Sequence, residues 1–338
     1  MRIGVIGLGF MGSTHLKAWR DIPRAEITAV SSNNEKKLTG DLSEVGGNLG
    51  GAGEKLDFSK MKKYRTAEAL IADSDIDAVD ICLPTGLHAA TALAALQAGK
   101  HVLVEKPMAL SGQECDHLIA EATRQRRILM VAQVLRFIPA YRAVADALGS
   151  GEYGKVRAAL FRRRCAAPAW SAWLAEPSQS GGGVFDLLIH DVDFCLKLFG
   201  RPEFVSATGY EDLAGGIDSV TANLHYADIP SVVVTGGWHH KKSYPFSMQY
   251  TIVTDGATFE FNFPPGDVTM YRADGEAEPL KLPEQDGFEA ELDYFLQCCE
   301  TGAKPALCPP EDSATAVKLT LTMAAAREKN GEKVECHN

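Results

Sequence analysis

The sequence lacks long apolar runs and an excess of basic residues, and each absence excludes a class of partner. No apolar run approaches the roughly 20 residues that a membrane-spanning helix needs, so we expect no membrane partner. The 34 Lys and Arg are outnumbered by 44 Asp and Glu, and the net charge of -10 argues against nucleic acid as a partner. Neither absence says which small molecule binds.

Paired cysteines are also lacking. The eight cysteines form no Cys-x-x-Cys pair, and their scatter does not resemble a disulfide framework. The first residues run directly into a strand-and-glycine pattern, without a basic leader or an apolar signal core. We therefore expect a cytoplasmic location, and no metal site is predicted.

Length and composition indicate an ordinary globular protein with more than one domain. The chain has 338 residues, of which 46% are apolar and 23% charged. That length suggests two domains of roughly 100–200 residues each.

A glycine fingerprint, G-x-G-x-x-G, is formed by Gly7, Gly9 and Gly12, with Phe10 and Met11 between the last two. The first glycine permits a tight turn, the second lets the backbone approach a pyrophosphate, and the third allows close helix packing. Because the motif follows an apolar strand and opens a helical run, it predicts a dinucleotide site rather than a structural turn.

The second predicted strand, residues 26–31, should end where an adenosine ribose binds. A cofactor without a 2′-phosphate usually meets Asp or Glu there, but Ser32 and Asn33 occupy the place, followed by Lys36 and Lys37. A lysine can pair with a 2′-phosphate, and no carboxylate opposes it. The pattern favours NADP over NAD without excluding NAD.

Repeated strand, loop and helix units extend to about residue 128, interrupted by a Gly- and Lys-rich stretch over residues 38–62 that we interpret as an insertion or mobile loop. Such units predict a doubly wound parallel sheet of the Rossmann type, an α/β fold, over residues 1–128. Residues 129–338 change to short strands separated by Gly, Asp and Pro turns, with helices near 184–199, 288–301 and 311–329. They predict an α+β domain with a large, mostly antiparallel open sheet.

One strand of the first domain ends in a candidate proton donor. The apolar run from His101 to Val104 continues into Glu105, Lys106 and Pro107, which places an ammonium group at the end of a buried strand. In open α/β sheets the ligand crevice lies outside the carboxyl ends of the strands, so Lys106 should face the ligand of the glycine loop. A solvated surface lysine is the alternative.

A second candidate pair lies on the helix near residues 184–199. Asp186 and His190 are four residues apart and Asp193 is three further on, so all three can share one helix face. A carboxylate one turn from an imidazole can orient the ring for general acid/base work. A pair of satisfied polar residues on a helix surface is the alternative.

Two further groups are candidates for substrate binding. Arg136 and Tyr141 follow the last strand of the first domain, with a surface arginine and a packed tyrosine as the alternative. Trp170 and Trp173 lie in an irregular segment, where aromatic faces could stack on a sugar ring or serve as packing anchors.

Taken together, the motifs resemble the glucose-fructose oxidoreductase, inositol dehydrogenase and rhizopine catabolism (Gfo/Idh/MocA) family. The resemblance rests on the early glycine fingerprint, Pro84-Thr85-x-x-His88, Glu105-Lys106-Pro107, Arg136 and Asp186-x-x-x-His190-Asp191, and it spans nearly the whole chain. It implies NAD(P)-linked hydride transfer at a hydroxyl-bearing carbon, commonly of a sugar, inositol or related polyol. It also implies a homo-oligomer, a dimer or tetramer, assembled through the C-terminal sheet.

The resemblance also implies roles for residues. Lys106 would contact substrate and nicotinamide ribose, His190 would be the acid/base, Asp186 its substrate-binding partner, and the Lys106-Pro107 bond would be cis. Besides the fingerprint and the ribose-side residues, we expect cofactor contacts from Leu83, Pro84, Thr85, His88, Glu105, Lys106 and Gln133.

These parts suggest that His190 moves the hydroxyl proton while Lys106 stabilises alkoxide-like charge, although the two roles could be exchanged. Two rivals remain. One is a non-catalytic NAD(P)-binding sensor, against which the set of Lys106, Asp186 and His190 argues, and the other is a reductase of a non-sugar carbonyl or diol.

Overall fold

The computed structural model describes residues 1–47, 53–169, 171–273 and 275–336. The chain divides into a first unit, Met1–Val134 with Gly287–Ala314, and a second unit, Leu135–Asp286 with Thr315–Asn338. A boundary between residues 128 and 129 stays a prediction. The return of residues 287–314 to the first unit was not expected, because sequence order alone does not show which helix packs on which sheet.

The first unit is built on a six-stranded parallel sheet, which confirms the Rossmann-type prediction. Its strand order is β3-β2-β1-β4-β5-β6. The strands are β1 Arg2–Ile6, β2 Glu26–Ser31, β3 Lys62–Tyr64, β4 Ala78–Ile81, β5 His101–Glu105 and β6 Leu129–Ala132. Strand β3 was not predicted, because Lys-Lys-Tyr carries no apolar signal. The order reverses between β1 and β4, which is where α/β sheets of this kind bind ligands.

Most helices lie where capping residues and apolar periodicity predict them. They are α1 Phe10–Arg20, α2 Glu35–Leu38, α3 Ala67–Ile71, α4 His88–Gln97, α5 Gly112–Gln125, α6 Pro139–Gly149, α7 Pro177–Ser180, α8 Gly182–Phe199, α9 Gly287–Thr301 and α10 Pro310–Glu328. The hydroxyls of Thr66 and Ser111 accept the backbone N–H groups of Ala69 and Glu114, which caps α3 and α5. No described helix is long and apolar enough to cross a membrane.

The described part of residues 38–62 contains buried side chains and internal hydrogen bonds. Leu42 and Phe58 are buried. The N–H groups of Leu42 and Leu56 donate to the carbonyls of Glu54 and Gly40 at 3.1 and 2.9 Å. The described part is therefore an ordered insertion rather than a mobile loop, a result that its glycine-rich composition did not reveal.

The second unit is built on a nine-stranded sheet with the order β14-β13-β12-β11-β7-β10-β9-β8-β15. Its strands are β7 Val156–Ala166, β8 Phe204–Asp212, β9 Ile217–His225, β10 Ser231–His240, β11 Ser247–Thr254, β12 Ala257–Phe263, β13 Val268–Arg272, β14 Glu278–Pro279 and β15 Lys333–Glu335. The sheet is mostly antiparallel, as predicted, with a parallel pairing between β7 and β10. Helix α8 covers one face.

The apolar strands of the second unit form its core. Val232 and Val234 of β10 and Phe259 and Phe261 of β12 are buried, and these strands alternate between buried and more exposed positions. Alternation of this kind belongs to a sheet with one face packed on a core. The buried positions are therefore not available as an oligomer face.

Candidate active site

The glycine loop has the geometry that a pyrophosphate-binding turn requires. Gly7 has φ of +98°, and a methyl group on it would lie 2.5 Å from the carbonyl oxygen of Cys82. A methyl group on Gly12 would lie 1.9 Å from the carbonyl oxygen of Gly7, whereas one on Gly9 would meet nothing within 4 Å. The loop is thus closed on the protein side at Gly7 and Gly12 and open at Gly9.

The start of α1 is suited to an anion. Its N-cap, Gly9, makes no side-chain capping bond, and the first turn contains no acidic residue. The first N–H groups of a helix lack intrahelical partners and carry partial positive charge. Phe10 and Met11 thus present backbone donors, and the Phe10 ring packs against Gly47 of the insertion.

At the ribose end, the structure distinguishes the two lysines. Lys36 lies 2.7 Å from the Glu44 carboxylate, and this hydrogen bond raises the pKa of Lys36. Lys37 is half-buried, and burial lowers its pKa. Lys37 makes no ion pair with a described carboxylate, and it is the better candidate for a 2′-phosphate. Ser32 accepts the N–H of Asn34 at 3.2 Å, and Asn33 is exposed.

The segment after β4 runs beside the glycine loop. Leu83 contacts the position of Gly7, Pro84 precedes a helical turn over Thr85–Leu87, and Thr85 is buried. The buried His88 ring lies between two carbonyl oxygens, those of Leu83 and Pro107, each 2.7 Å from a ring nitrogen. Burial lowers the pKa of His88. His88 therefore ties this segment to the turn after β5, which is a structural role that its expected cofactor contact did not include.

Lys106 stands at the carboxyl end of β5, as predicted. It is partly exposed, and the Lys106-Pro107 bond is cis, which confirms the prediction. Glu105 is 5% exposed, and its Oε2 accepts the backbone N–H of Lys106 at 3.0 Å. The Glu105 carboxylate therefore faces the protein interior, where it supports the turn.

Gln133 supplies an orphaned amide one strand further along. The side chain is 1% exposed, and neither its Nε2 nor its Oε1 has a hydrogen-bond partner among the described residues. A buried amide without partners costs free energy, so a ligand that pairs with it gains affinity. Together with the open side of the glycine loop, this amide fits a bound dinucleotide.

In the second unit, Asp186 and His190 lie one turn apart on α8 and are both partly exposed. Burial, together with the charge of Asp186, raises the pKa of the Cys165 thiol to about 12, which places Asp186 near the end of β7. Trp173 packs against a buried cluster that includes Cys165, Leu174 and Trp238. Trp170 lies outside the described residues.

Two buried arginines clamp α8 immediately after His190. Arg163 of β7 donates from Nε and Nη2 to Asp191 at 2.8 and 3.0 Å. Arg136 donates in the same two-pronged way to Asp193, with both distances 2.8 Å. Bidentate pairs of this kind fix orientation as well as distance.

The surroundings of Arg136 give it a structural role besides the predicted one. Its side chain is 1% exposed and its partner Asp193 is fully buried. Two of its nitrogen atoms are held by that carboxylate, so Arg136 positions α8, and its contact with substrate stays a prediction. Tyr141 is likewise packed, with its ring centroid 4.9 Å from that of Phe194. The spacing of Asp193 on the His190 face was visible in the sequence, but its arginine partner was not.

A third contact fixes the start of α8. The N–H of Val184 donates to Asp218 at 2.8 Å, and Arg327 of α10 donates to the other oxygen of Asp218 at 2.5 Å. A carboxylate at a helix N-terminus is stabilised by the helix dipole. Asp186 and His190 thus lie between an anchored start and two arginine clamps.

Comparisons with known proteins agree with this architecture. The family model described as "Oxidoreductase family, NAD-binding Rossmann fold" (GFO_IDH_MocA) matches residues 1–133, and the "GFO/IDH/MocA C-terminal domain" matches residues 141–260. The chain is 27% identical to a myo-inositol 2-dehydrogenase of Thermotoga maritima, with 98% of this chain and 97% of the relative covered.

Two other relatives match over almost their full length. A D-xylose 1-dehydrogenase (NADP(+)) of Haloferax volcanii is 26% identical, with 99% of each chain covered. The structure of levoglucosan dehydrogenase in complex with NADH and levoglucosan superposes with a TM-score of 0.85 at 19% identity, covering 100% of each chain. At that identity the structural likeness shows the fold alone.

Proposed function

We propose that this chain, which belongs to the Gfo/Idh/MocA oxidoreductase family, transfers a hydride between NAD(P) and a hydroxyl-bearing carbon of a sugar, inositol or related polyol. The observation that carries the proposal lies within the first unit. The glycine loop after β1 and Lys106 after β5 share the carboxyl edge of one parallel sheet, on either side of β4. That edge is where such sheets bind nucleotide cofactors and their reaction partners.

The proposed chemistry needs a group that transfers a proton and a group that stabilises negative charge. A hydride leaves the substrate carbon only as the hydroxyl proton is removed, which yields a carbonyl group. His190 takes that proton in oxidation and returns it in reduction, and Asp186 binds a neighbouring hydroxyl and orients the ring. Lys106 stabilises negative charge on the reacting oxygen. A nicotinamide cofactor held at the loop of Gly7, Gly9 and Gly12 would supply the hydride acceptor or donor.

For the cofactor, the proposal extends to a preference for NADP. Ser32 and Asn33 put no carboxylate against a 2′-phosphate, and the partly buried Lys37 supplies a charge that no described acid neutralises. Lys36 would have to leave Glu44 to contribute.

The remaining predictions concern location and assembly. A reducing cytoplasm is supported by eight free thiols. Assembly as a dimer or tetramer through the second sheet is supported by exposed Leu160, Tyr210 and Tyr271 on its strands. The acidic charge of the chain speaks against a nucleic-acid partner.

The experiment that tests this function combines binding and turnover. Purified protein is titrated with NADPH and NADH by nicotinamide fluorescence, and absorbance of the reduced ring is then followed with a panel of sugars and polyols. We expect binding of NADPH and turnover of at least one polyol. Binding without turnover of any compound would favour the sensor alternative, and no binding would overturn the proposal.

A matched pair of glycine variants controls the binding step. Gly12→Ala would place a methyl group against the Gly7 carbonyl, so we expect it to abolish cofactor binding. Gly149→Ala adds a methyl group where nothing lies within 4 Å, so binding should be unchanged.

A further inference from the structure

A fully buried histidine, which the proposed reaction does not use, lies beneath the glycine loop of the first unit. His15 stands on α1, three residues after Gly12, and is 0% exposed. Its Nδ1 is 3.0 and 3.1 Å from the two carboxylate oxygens of Asp80 on β4. Its Nε2 is 3.1 Å from Oε1 of Glu105 on β5, which is an ion-pair distance without hydrogen-bond geometry. The ring therefore bridges two carboxylates on adjacent strands.

The other neighbours of the ring complete its surroundings. Trp19 Nε1 donates to Asp80 at 2.8 Å, and the Cys82 sulfur lies 3.5 Å from Nδ1. From α9, the Phe288 ring is 6.2 Å away by centroid, and the same helix carries the buried acid Glu291. Described residues therefore face His15 from α1, β4, β5 and α9, and the titratable ones among them are acids and a thiol.

These neighbours favour the charged imidazolium. Burial opposes a charge on the ring, but Asp80 outweighs it, with a smaller contribution from Cys82, and the pKa of His15 is raised well above its ordinary value. Burial also raises the pKa of the Cys82 thiol, so that group stays protonated. His15, Asp80 and Cys82 have the ligand types of a metal site. A protonated thiol and a carboxylate that already accepts from Trp19 suit an ion network better than a metal.

The network ends at the backbone of Lys106. While Glu105 Oε1 faces His15, its Oε2 accepts the Lys106 N–H at 3.0 Å. A carboxylate held on one side by a buried cation has little freedom on the other. The same turn is fixed from Pro107 by His88.

We propose that His15 is a positioning residue for the reaction: through Glu105 it sets the Lys106 turn relative to the helix that follows the glycine loop. The inference rests on the proposed function, because it concerns the reaction in which Lys106 takes part. It assigns one task to each ring nitrogen: Nδ1 anchors the ring to Asp80, and Nε2 presents the charge of the ring to Glu105 Oε1.

The test uses amide side chains to replace the contact of one ring nitrogen at a time. The NH₂ group of His15→Gln can reach toward Glu105, whereas that of His15→Asn can replace only the contact to Asp80. We expect His15→Asn to lower kcat by roughly 10- to 100-fold, the scale of a misplaced reacting group, and His15→Gln to retain more activity. The substrate is a polyol turned over by the wild type, and the dissociation constant of NADPH is measured alongside.

Lys100→Met is the matched control. Lys100 is buried at the opposite end of β5, where its ammonium donates to the carbonyls of Asp73 and Ile76 at 2.7 Å. Its removal should lower the melting temperature while kcat and NADPH affinity stay near wild type. If His15→Asn and His15→Gln lose stability like Lys100→Met but keep wild-type kcat, the inference is overturned.

Glu105→Gln provides a second route if the His15 variants do not fold. An amide carries no charge, so it removes the ion pair with His15, while its oxygen can still accept the Lys106 N–H. We expect a loss of kcat in a folded protein, and full activity would contradict the inference. Lys106→Ala distinguishes failure of the His15 inference from failure of the proposed function. Wild-type activity in Lys106→Ala would show that Lys106 has no catalytic role. Stoichiometric zinc in the purified protein would instead identify His15, Asp80 and Cys82 as ligands and overturn the ion network.

Discussion

The two units support their proposed reacting residues with buried ion pairs of different chemistry. In the first unit the charge beneath the Lys106 turn is an imidazolium, His15, between Asp80 and Glu105. In the second unit the charges that hold the His190 helix are guanidinium groups, Arg163 and Arg136, each bidentate on one aspartate. An imidazole in the unfolded chain titrates near 6.5 and the pKa of His15 is raised by folding, whereas a guanidinium stays charged in both states. The comparison predicts that pH acts on one support and not on the other.

The largest expected effect comes from the proposed acid/base itself. His190→Ala should lower turnover by about 100- to 10,000-fold, because a positioned proton acceptor is lost. The measurement is steady-state kcat on a polyol substrate. His117→Ala removes an exposed histidine from α5 and serves as the control. Near-wild-type turnover in His190→Ala would show that His190 is not the acid/base, and the second unit would then have no proposed reacting group to support.

Breaking an arginine clamp should be the next largest effect. Arg163→Met leaves Asp191 buried without its partner, and loss of one partner of a buried pair costs about 3–5 kcal/mol in the free energy of unfolding. Urea denaturation measures it. Arg162→Met is the matched control. Arg162 lies next to Arg163 on the other face of β7, and its removal loses one hydrogen bond to Gln249, which contributes about 0.5–1.5 kcal/mol. Equal losses in both variants would mean that the Arg163 pair does not clamp α8.

The pH dependence of stability separates the two supports directly. The pKa of His15 is raised in the folded state, so its stabilisation is fully present below the ordinary value of 6.5 and is lost as pH rises through the folded pKa. The stability difference between wild type and His15→Gln should therefore shrink as pH rises above 6.5. The stability difference between wild type and Arg163→Met should not change with pH over the same range. A flat His15→Gln difference would show that the buried ring is not charged.

The smallest expected effect is at the ribose end. Lys37→Met should weaken NADPH binding roughly 10- to 100-fold, since a charge-assisted bond to the 2′-phosphate contributes about 1.5–3 kcal/mol. NADH affinity should be unchanged, and Lys36→Met, whose ammonium pairs with Glu44, should change NADPH affinity less. Fluorescence titration measures both. The reverse order of the two lysines would transfer the proposed phosphate contact to Lys36.

Sequence patterns predicted the elements whose signals are local. The glycine loop, the strand ending in Lys106 and the antiparallel strands of the second unit all follow from apolar periodicity and turn residues. The same signals failed for β3, which is short and polar, and they did not show that Leu42 and Phe58, in the described part of residues 38–62, are buried.

Partners distant in sequence could not be predicted. Arg136 was a candidate substrate ligand because it follows a strand end, yet its charge meets Asp193 inside the protein. His15 attracted no functional prediction, because nothing near it in sequence shows that Asp80 and Glu105 flank it.

By itself the sequence determined the architecture of this protein and its candidate reacting residues, because both follow from short-range patterns of apolar, glycine and polar positions. Only the tertiary structure decided which buried ion pairs support those residues. Opposite charges separated by tens of residues pair only after strands and helices have packed, and burial then sets the pKa of each group and the rigidity of each contact.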